Sequence, residues 1–416
     1  MRLKKCVFTA ALLFMCTIAP KAQSVEAELF TLDAAVNNAI KYNSELELIR
    51  KEIYAQQAAK HQSGLYPNPE LEVESENIFG EKDFRGFRGS ESTVKVNQNI
   101  LLAGKIKNRV KIAELDITLS EWDYEIKLLE ISTQIKVSFG KALAAQKLME
   151  KNDELIKLSE ELITNLKNLI KVGKISPVEV SRANIVLNSL QIKLISLQAD
   201  YAVSITELKS LINNPSLSFQ SLSGDLDYVS VLPSYDSLLI YLDNNPNLKR
   251  YNKEYEKLNA VIDYEKSLSV PDLTISAGYK RLNELNTNTF LIGASIPLPL
   301  FNNNQGSIQE SKIRFDQKHV EYELVKSRLA SRLKQSYIKY NSFLNTLEQL
   351  RDVSIPFSEE TFRIIKNGNI SGKYSVLDVL DSQRTLFELQ NQYVNTIAEI
   401  HGVKSEIEGI IADKIK

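Results

Sequence analysis

The stretch that decides the fold is PNPELEVESENIFG, which runs from Pro67 to Gly80. Glutamates occupy alternate positions in its first half, and Leu71, Val73 and Ser75 stand between them. Alternation with period two is typical of a β-strand, because successive side chains point to opposite faces. One face of this strand would be acidic and the other mainly apolar. The acidic positions are Glu70, Glu72, Glu74 and Glu76.

The chain begins with the pattern of a secretory signal peptide. Basic residues precede the short apolar stretch CVFTAALLFMCTIA, and a cleavage site follows near Ala22. We therefore predict that residues 1–22 are a signal peptide. Both cysteines, Cys6 and Cys16, lie inside it, so the exported chain would contain no disulfide. The bulky Met15 disfavours lipidation at Cys16.

The charge balance argues against a nucleic-acid partner. The full chain has a formal net charge of −1, and removal of the basic signal peptide would bring it to about −5, which is not a nucleic-acid-binding footprint. Beyond the signal peptide, no run of roughly eighteen apolar residues predicts a transmembrane helix.

Nothing in the sequence favours an enzyme. His61, His319 and His401 are scattered without the spacing of metal ligands. No glycine-rich phosphate loop and no nucleophile motif occurs. We therefore predict no catalytic residue, no cofactor and no metal site.

The chain repeats itself with a period of about 200 residues, far longer than a solenoid repeat. We predict a first repeat over residues 23–224 and a second over residues 225–416. The matching segments are NSEL at Asn43 and NPNL at Asn245, PELEV at Pro69 and PDLTI at Pro271, AGK around Gly104 and NQG ending at Gly306, and GKISPVEV at Gly173 and GKYSVLDV at Gly372.

Each repeat predicts the same order of elements: a helix, two strands, a very long helix, a break at glycine and another helix. The first helices would run from Leu32 to about Gly64 and from Tyr235 to about Ser267. A long helix from about Lys105 to Lys171 would measure roughly 100 Å. Apolar residues at steps of three and four along the long helices predict side-by-side packing at shallow angles. A soluble helical bundle would give the same pattern.

Four alternating segments are strand candidates, each about as long as a tilted strand that crosses a bilayer. They are residues 70–79, 93–101, 272–282 and 290–298. Phe79, Tyr279 and Phe290 lie near the predicted strand ends, where an aromatic girdle would form. A half-exposed antiparallel sheet would alternate in the same way. Four strands cannot close around a pore, but three copies of the chain would supply twelve.

Several segments together carry a family resemblance. They are YPNPELEV from Tyr66, NPNL from Asn245, VPDLTISAGYKR from Val270, IGASIPLPLFNNNQGSIQES from Ile292 and SGKYSVLDVLDSQRTLFELQNQY from Ser371. With these segments the sequence resembles the outer-membrane efflux proteins of the TolC family. It is most similar to the outer-membrane components of heavy-metal efflux systems of the cobalt-zinc-cadmium and copper-silver type.

The resemblance implies a mixed, mainly α fold. Three chains would form an α-barrel of long coiled helices in the periplasm and a twelve-stranded transmembrane β-barrel in the outer membrane of a Gram-negative bacterium. The protein would be the exit duct of a tripartite pump, joined to a periplasmic adaptor protein and an inner-membrane transporter of the resistance-nodulation-division type. It would conduct metal cations passively, and the four glutamates of the first strand would face the lumen.

The two glycine breaks lie at the predicted free tips of the helical hairpins. Gly173 and Gly372 can adopt the positive φ that ends a helix. Ser176 and Ser375 are plausible N-caps for the returning helices. We call these four residues the tip turns.

Three acidic residues follow the tip turns. Glu179 and Asp378 fall in the first turn of their helices, where the helix dipole favours them, so a purely structural role is open. Asp378 and Asp381 form an i, i+3 pair on one helix face. In the family, the matching aspartates point into the tip of the tunnel, which implies a gate formed by Asp378, Asp381 and Glu179. Tyr374 stands where the family's lock would have an arginine.

Other functions remain open at the level of sequence. The same duct could serve drug efflux or type I protein secretion, because selection of cargo occurs mainly at the inner-membrane pump. From another class, a soluble periplasmic coiled-coil scaffold or adaptor would explain the signal peptide and the helical seams.

Overall fold

The computed structural model describes residues 29–214, 217–219 and 221–413. The predicted signal peptide, residues 1–22, lies outside these ranges. The first half contains β1 (Leu29–Thr31), α1 (Leu32–Tyr42), α2 (Ser44–Ser63), β2 (Glu70–Glu76), β3 (Glu91–Ile100), α3 (Lys105–Lys171), α4 (Pro177–Ile212) and β4 (Ser221–Ser223). The second half contains α5 (Tyr235–Ile240), α6 (Pro246–Leu268), β5 (Leu273–Leu282), β6 (Thr287–Ser295), α7 (Gln305–Gln349), α8 (Ile355–Ile370) and α9 (Val376–Ile411).

The predicted mixed, mainly α fold is confirmed for the single chain. Two helices, two strands, a long helix and a returning helix occur in this order in each half. The predicted boundary between residues 224 and 225 stays a prediction. Among the described residues, no helix combines the length and the apolar character that a membrane span requires.

The first helix of each half is broken, where the sequence predicted one continuous helix. The breaks fall at Asn43, between α1 and α2, and at Asn245, which directly precedes α6. At both breaks the asparagine adopts an extended ψ angle, 123° and 126°. Its side-chain oxygen then accepts hydrogen bonds from the backbone amides of the following helix, as an N-cap does.

The four long strands form one antiparallel sheet in the order β2-β3-β5-β6. Their positions agree with the four predicted segments, but six of the eight predicted boundaries differ from those of the structure. β2 ends at Glu76 rather than at Phe79, because Asn77 and Phe79 adopt positive φ and leave the ladder. β3 begins two residues earlier than predicted, at Glu91.

The fourth strand also differs from the prediction. β6 spans Thr287–Ser295, whereas the sequence predicted residues 290–298. The turn before β6 is tighter than expected, because Asn286 adopts positive φ and its amide donates to the carbonyl of Asn283. Pro297 and Pro299 lie beyond the strand end, since proline has no amide hydrogen for the ladder.

The long helix α3 has the predicted bounds, and its start corrects the predicted pairing of the repeats. Gly104 precedes α3 with a left-handed φ of 71°. The residue that precedes α7 in the same conformation is Asn304, with φ 62°, and not Gly306, which the sequence paired with Gly104. Asparagine tolerates this conformation better than other residues with a side chain. Asn304 Nδ2 also donates to the carbonyl of Glu265 at 2.8 Å.

The second long helix is interrupted, unlike α3. Between α7 and α8 lies a π-helical turn, Leu350–Ser354. Pro356 is the second residue of α8, two residues beyond the π turn. A proline in an α-helix has no amide to donate and its ring meets the carbonyl four residues earlier, here that of Asp352. A widened π turn at this point accommodates the proline without ending the helix.

Two main apolar clusters lie beside the long helices, well away from the four-stranded sheet. One joins α1, α2, α3, α4 and the short parallel pair β1–β4, and its fully buried residues include Ile135, Leu46 and Leu208. The other joins α5, α6, α7 and α9 around Leu333 and Tyr340. The sheet therefore stands apart from the buried core of the chain.

Candidate functional site

One face of the four-stranded sheet is polar and carries the predicted glutamates. The register sets Glu70 opposite Asn97, Glu72 opposite Lys95 and Glu74 opposite Thr93. All seven residues of β2 are exposed. The alternation that the sequence showed is therefore present in three dimensions, with the four glutamates on one face.

These glutamates are partly neutralised by lysines on the neighbouring strands. Lys95 Nζ lies 3.0 Å from Glu72 and 3.9 Å from Glu74. Lys280 Nζ lies 3.6 Å from Glu76 and also pairs with Glu91. Sequence reasoning missed this pairing, because cross-strand partners depend on register, which single segments do not reveal.

The opposite face of the sheet is apolar and exposed. Its rows run across the strands, and the register gives each row. One row is Val73, Val94, Tyr279 and Phe290, and the next is Leu71, Val96, Ala277 and Ile292. Phe290 is 82% exposed and Ile292 is 87% exposed. A contiguous apolar surface of this kind marks a face that meets another apolar medium or partner.

The three residues of the predicted aromatic girdle lie in two different places, and the girdle itself stays a prediction. Tyr279 and Phe290 face each other across β5 and β6, with ring centroids 5.8 Å apart. Phe79 instead lies past the end of β2, in the loop to β3, where it contacts Phe87 edge to face.

The first tip turn joins α3 to α4 as the sequence predicted. Gly173 has φ 73° and its amide donates to the carbonyl of Ile170, while the Lys174 amide donates to that of Leu169. These two bonds form a Schellman motif, which satisfies the last carbonyls of α3. Ser176 then caps α4 by accepting a hydrogen bond from the Val178 amide at 3.3 Å.

The first acidic tip residue, Glu179, is paired inside its own helix. Its Oε1 lies 3.1 Å from Arg182, and its side chain is 20% exposed. Its second oxygen, Oε2, is buried without a hydrogen-bond partner among the described residues.

The second tip turn repeats the geometry of the first. Gly372 has φ 77°, and the amides of Gly372 and Lys373 donate to the carbonyls of Asn369 and Gly368. Tyr374 packs over Gly368, where an added Cβ would meet the ring at 2.4 Å. The carbonyl of Tyr374 accepts from Asn369 Nδ2 at 2.9 Å, so this tyrosine is held within its own chain.

Asp378 forms a complete capping box with Ser375. The Asp378 amide donates to Ser375 Oγ at 3.2 Å, and Asp378 Oδ2 accepts from the Ser375 amide and hydroxyl, both at 2.8 Å. These donors hold the pKa of Asp378 below its usual value, because they stabilise the carboxylate. The structural role that the sequence left open for Asp378 is therefore present, whether or not it also faces a tunnel.

Asp381 lies one turn further along α9 and pairs with Arg384 at 2.6 Å on an exposed surface. Asp378 and Asp381 both line a cleft of about 390 Å³ between α8 and α9, with Phe357 and Thr361 on its other side. The structure thus brings these two aspartates to one surface, and their role as a gate stays a prediction. Within the described ranges, no group of three or more His, Cys, Asp or Glu side chains is arranged to hold a metal ion.

Comparisons with known proteins show which proteins this chain resembles. Residues 240–400 match the family described as "Outer membrane efflux protein". The chain is 28% identical to the cobalt-zinc-cadmium resistance protein CzcC of Cupriavidus metallidurans, over 92% of this chain and 90% of that protein. It is 20% identical to the nickel-cobalt-cadmium resistance protein NccC of Alcaligenes xylosoxydans xylosoxydans, over 59% of this chain and 56% of that protein.

The fold has a solved counterpart. A crystal structure of CusC, a transmembrane channel, matches with a TM-score of 0.76 and 14% identity, over 92% of each chain. Sequence and fold together confirm the resemblance that the motifs indicated: residues 240–400 match the outer membrane efflux protein family, and the chain is similar to CzcC over most of its length and to CusC in its fold.

Proposed function

We propose that the protein is the outer-membrane exit duct of a tripartite efflux pump and that it conducts metal cations passively. The observation that carries this proposal is the sheet with one charged face and one exposed apolar face. Its strands have 7, 10, 10 and 9 residues. Strands of about nine to eleven residues can cross a bilayer when they are tilted. The apolar face would meet lipid and the charged face would line the lumen.

Three copies of the chain would close the duct. The edge strands β2 and β6 each leave one side of their backbone unpaired within the chain, and an open edge cannot remain in hydrocarbon. The helices also present apolar seams without a partner in their own chain. Val178, Ile185 and Ile192 are exposed at steps of seven residues along α4. Such a seam supports packing against another copy.

The charge of the lumen would favour cations. The polar face carries five glutamates against two lysines, counting Glu91 with the four glutamates of β2. Acidic rings attract cations in channels. At the periplasmic tip, Asp378, Asp381 and Glu179 would add to this effect as a gate. Because Asp381 is paired with Arg384, whereas Asp378 is bonded only to the neutral Ser375, we assign the larger share of the uncompensated negative charge to Asp378.

The partners follow from the same proposal. The helices would extend into the periplasm, where the tip would meet a periplasmic adaptor protein and, through it, an inner-membrane transporter of the resistance-nodulation-division type. That transporter would supply the energy. Metal cargo is supported by two relatives, which are cobalt-zinc-cadmium and nickel-cobalt-cadmium resistance proteins.

The cargo can be tested in cells that contain a metal-exporting pump and its adaptor but lack their outer-membrane channel. Expression of this chain should lower cellular cobalt, zinc or cadmium towards the level of the intact system. A parallel strain with a drug-exporting pump serves as the comparison. Restored drug export without restored metal export would overturn the metal assignment and leave the duct.

Conduction itself can be tested in planar bilayers. The purified protein should form cation-selective channels, and the Asp378→Asn/Asp381→Asn variant should be less selective or open wider. Asp153→Asn, an exposed position on α3, is the matched control. If the tip variant forms the same channels as the wild type, the gate is refuted but the duct is not. If the inserted wild-type protein forms no channels, the result counts against the duct.

A further inference from the structure

The apolar face of the sheet ends in a polar row at the end far from the helices. The register aligns Ser75, Ser92, Arg281 and Asn288 in this row, directly beyond the row that contains Tyr279. The two serine hydroxyls lie 3.1 Å apart. All four strands connect to the helices at their other ends. In the proposed membrane orientation, this row therefore lies at the outer surface, where hydrocarbon gives way to headgroups.

Arg281 is the charged residue of this row, and its hydrogen bonds go only to neutral groups. Its Nε donates to Asn283 Oδ1 at 3.3 Å, and its Nη1 donates to Asn288 Oδ1 at 3.1 Å. Its Nη2 donates to Asn286 Oδ1. None of the ion pairs among the described residues includes Arg281, whereas Lys280, on the opposite face, pairs with Glu76 and Glu91. The guanidinium is thus fixed in position but electrically uncompensated.

The loop between β2 and β3 carries two more arginines, Arg85 and Arg88. Phe84 folds back onto Gly80 and Gly89, and an added Cβ at either glycine would meet Phe84 within 3 Å. The amide of Phe79 donates to the carbonyl of Gly86 at 3.0 Å, which closes the loop on itself.

This loop is tied to the turn that holds Arg281. The Asn283 amide donates to the Ser90 carbonyl at 3.0 Å, and Asn283 Nδ2 donates to Ser90 Oγ at 2.7 Å. Arg85 and Arg88 are exposed on the loop, and neither takes part in an ion pair among the described residues. The outer end of the sheet therefore carries three guanidinium groups that form no ion pair among the described residues, on a loop and a turn that are bonded to each other.

We propose that Arg281, with Arg85 and Arg88, binds the phosphate groups of lipids in the outer leaflet. Guanidinium groups bind phosphate through paired, charge-assisted hydrogen bonds. The site stands at the depth where lipid phosphates lie, just outside the aromatic row. This inference rests on the proposed membrane orientation of the sheet, which is part of the proposed function.

The test measures how much phosphorylated lipid the purified protein retains. The protein is incubated in detergent with bisphosphorylated lipid A or with the same lipid after removal of both phosphates, and bound lipid is counted by native mass spectrometry. The wild-type protein should retain the phosphorylated form preferentially. Arg281→Gln should lower that retention about threefold to tenfold, the range expected for one charge-assisted contact at a partly exposed site.

Two further variants keep the test decisive. Arg85→Gln/Arg88→Gln changes only exposed loop positions, so it should lower retention even if Arg281→Gln impairs folding. Arg328→Gln, an exposed arginine on α7 without an ion pair, should retain lipid like the wild type. Equal retention of both lipid forms, or full retention by the loop variant, would overturn the proposal.

A second experiment distinguishes failure of the proposed function from failure of the lipid site. Flotation of each variant with lipid vesicles reports whether the sheet inserts at all. A protein that does not float refutes the membrane orientation and the lipid site together. A protein that floats but retains lipid without regard to phosphate refutes the lipid site alone.

Discussion

Two asparagines show how single residues build this fold twice. Asn43 Oδ1 accepts from the amides of Glu45 and Leu46, while its Nδ2 donates to the carbonyl of Leu211 at 2.6 Å. Asn245 repeats this with a cap on α6 and a 2.7 Å bond from Nδ2 to the carbonyl of Ile410. Each carboxamide therefore accepts from unpaired amides at the start of one helix and donates to a carbonyl in the last turn of another, α4 or α9.

Replacement of either asparagine should destabilise the helical part of the protein. We expect Asn43→Ala or Asn245→Ala to lower the free energy of unfolding by roughly 2–4 kcal/mol, because a cap is lost and a buried carbonyl loses its donor. Denaturant unfolding monitored by circular dichroism measures the change. Asn43→Asp keeps the cap but not the donor to Leu211, so a wild-type stability in that variant would show that the bond to Leu211 contributes nothing.

The capping box at the second tip predicts a defined pH dependence. The pKa of Asp378 is lowered in the folded chain. The contribution of Asp378 to stability is therefore complete at any pH above the pKa that it has in the unfolded chain. It is lost only as the pH falls through the lower, folded pKa. Hydrogen exchange at the start of α9 should thus show constant protection factors from about pH 5 to pH 8.

Ser375→Ala removes the hydroxyl that donates to Asp378 and accepts from its amide. Protection of the first turn of α9 should fall in this variant, and the pKa of Asp378 should rise towards its ordinary value. Ser371→Ala, in the same turn but bonded only to the Gly368 carbonyl, is the control. Equal loss of protection in both variants would contradict a specific capping role.

At the scale of the element, the two faces of the sheet should respond differently to charge. Ile292 lies on the apolar face of β6 and Thr289 on the polar face of the same strand. Ile292→Lys should reduce outer-membrane insertion, since lysine on a lipid face costs about 2–4 kcal/mol near the bilayer centre. Thr289→Lys should insert normally and reduce cation selectivity. Heat-modifiable mobility on gels and bilayer conductance measure these outcomes, and equal insertion of both variants would argue against a lipid-facing side.

Element types could be predicted from sequence, whereas several boundaries and breaks could not. Period-two alternation identified the strands, but the end of β2 depends on backbone conformation at Asn77, which alternation does not encode. Likewise, Asn43 breaks a helix because Leu211, distant in sequence, offers its carbonyl. The π turn had a readable signal in Pro356, a proline within a helical pattern.

The charged residues of the candidate site could be predicted from the sequence, but their ion-pair partners could not. The acidic face of β2 follows from its sequence alone. The lysines that neutralise part of it, Lys95 and Lys280, become visible only with the register of the sheet. The place of Arg281 at the end of the apolar face likewise becomes visible only with the register of the sheet.

At the scale of the whole molecule, one buried ion pair joins the two halves where helices meet the sheet. Lys105 Nζ, with a side chain only 7% exposed, donates to Asp272 Oδ1 and to the Val270 carbonyl, both at 2.6 Å. Asp272 Oδ1 also accepts from the Leu102 amide at 2.9 Å. The start of α3 is thereby fixed to the start of β5.

Loss of one partner of this pair should be costly. We expect Lys105→Met to lower the free energy of unfolding by roughly 3 kcal/mol, because the Asp272 carboxylate stays behind without its partner. Lys105→Met/Asp272→Asn should cost less than the sum of the two single changes. Lys312→Met, at an exposed position on α7, is the control. Additive losses in thermal unfolding would contradict direct coupling between Lys105 and Asp272.

The open edges of the sheet have a kinetic consequence. A single chain that entered the bilayer would expose the glutamate face and two unpaired strand edges to hydrocarbon. Under the proposed function, entry would therefore be a collective event, and in a trimer its rate would rise with about the third power of the subunit concentration at low abundance. Cells that make half as much of the chain would then assemble far fewer than half as many pores.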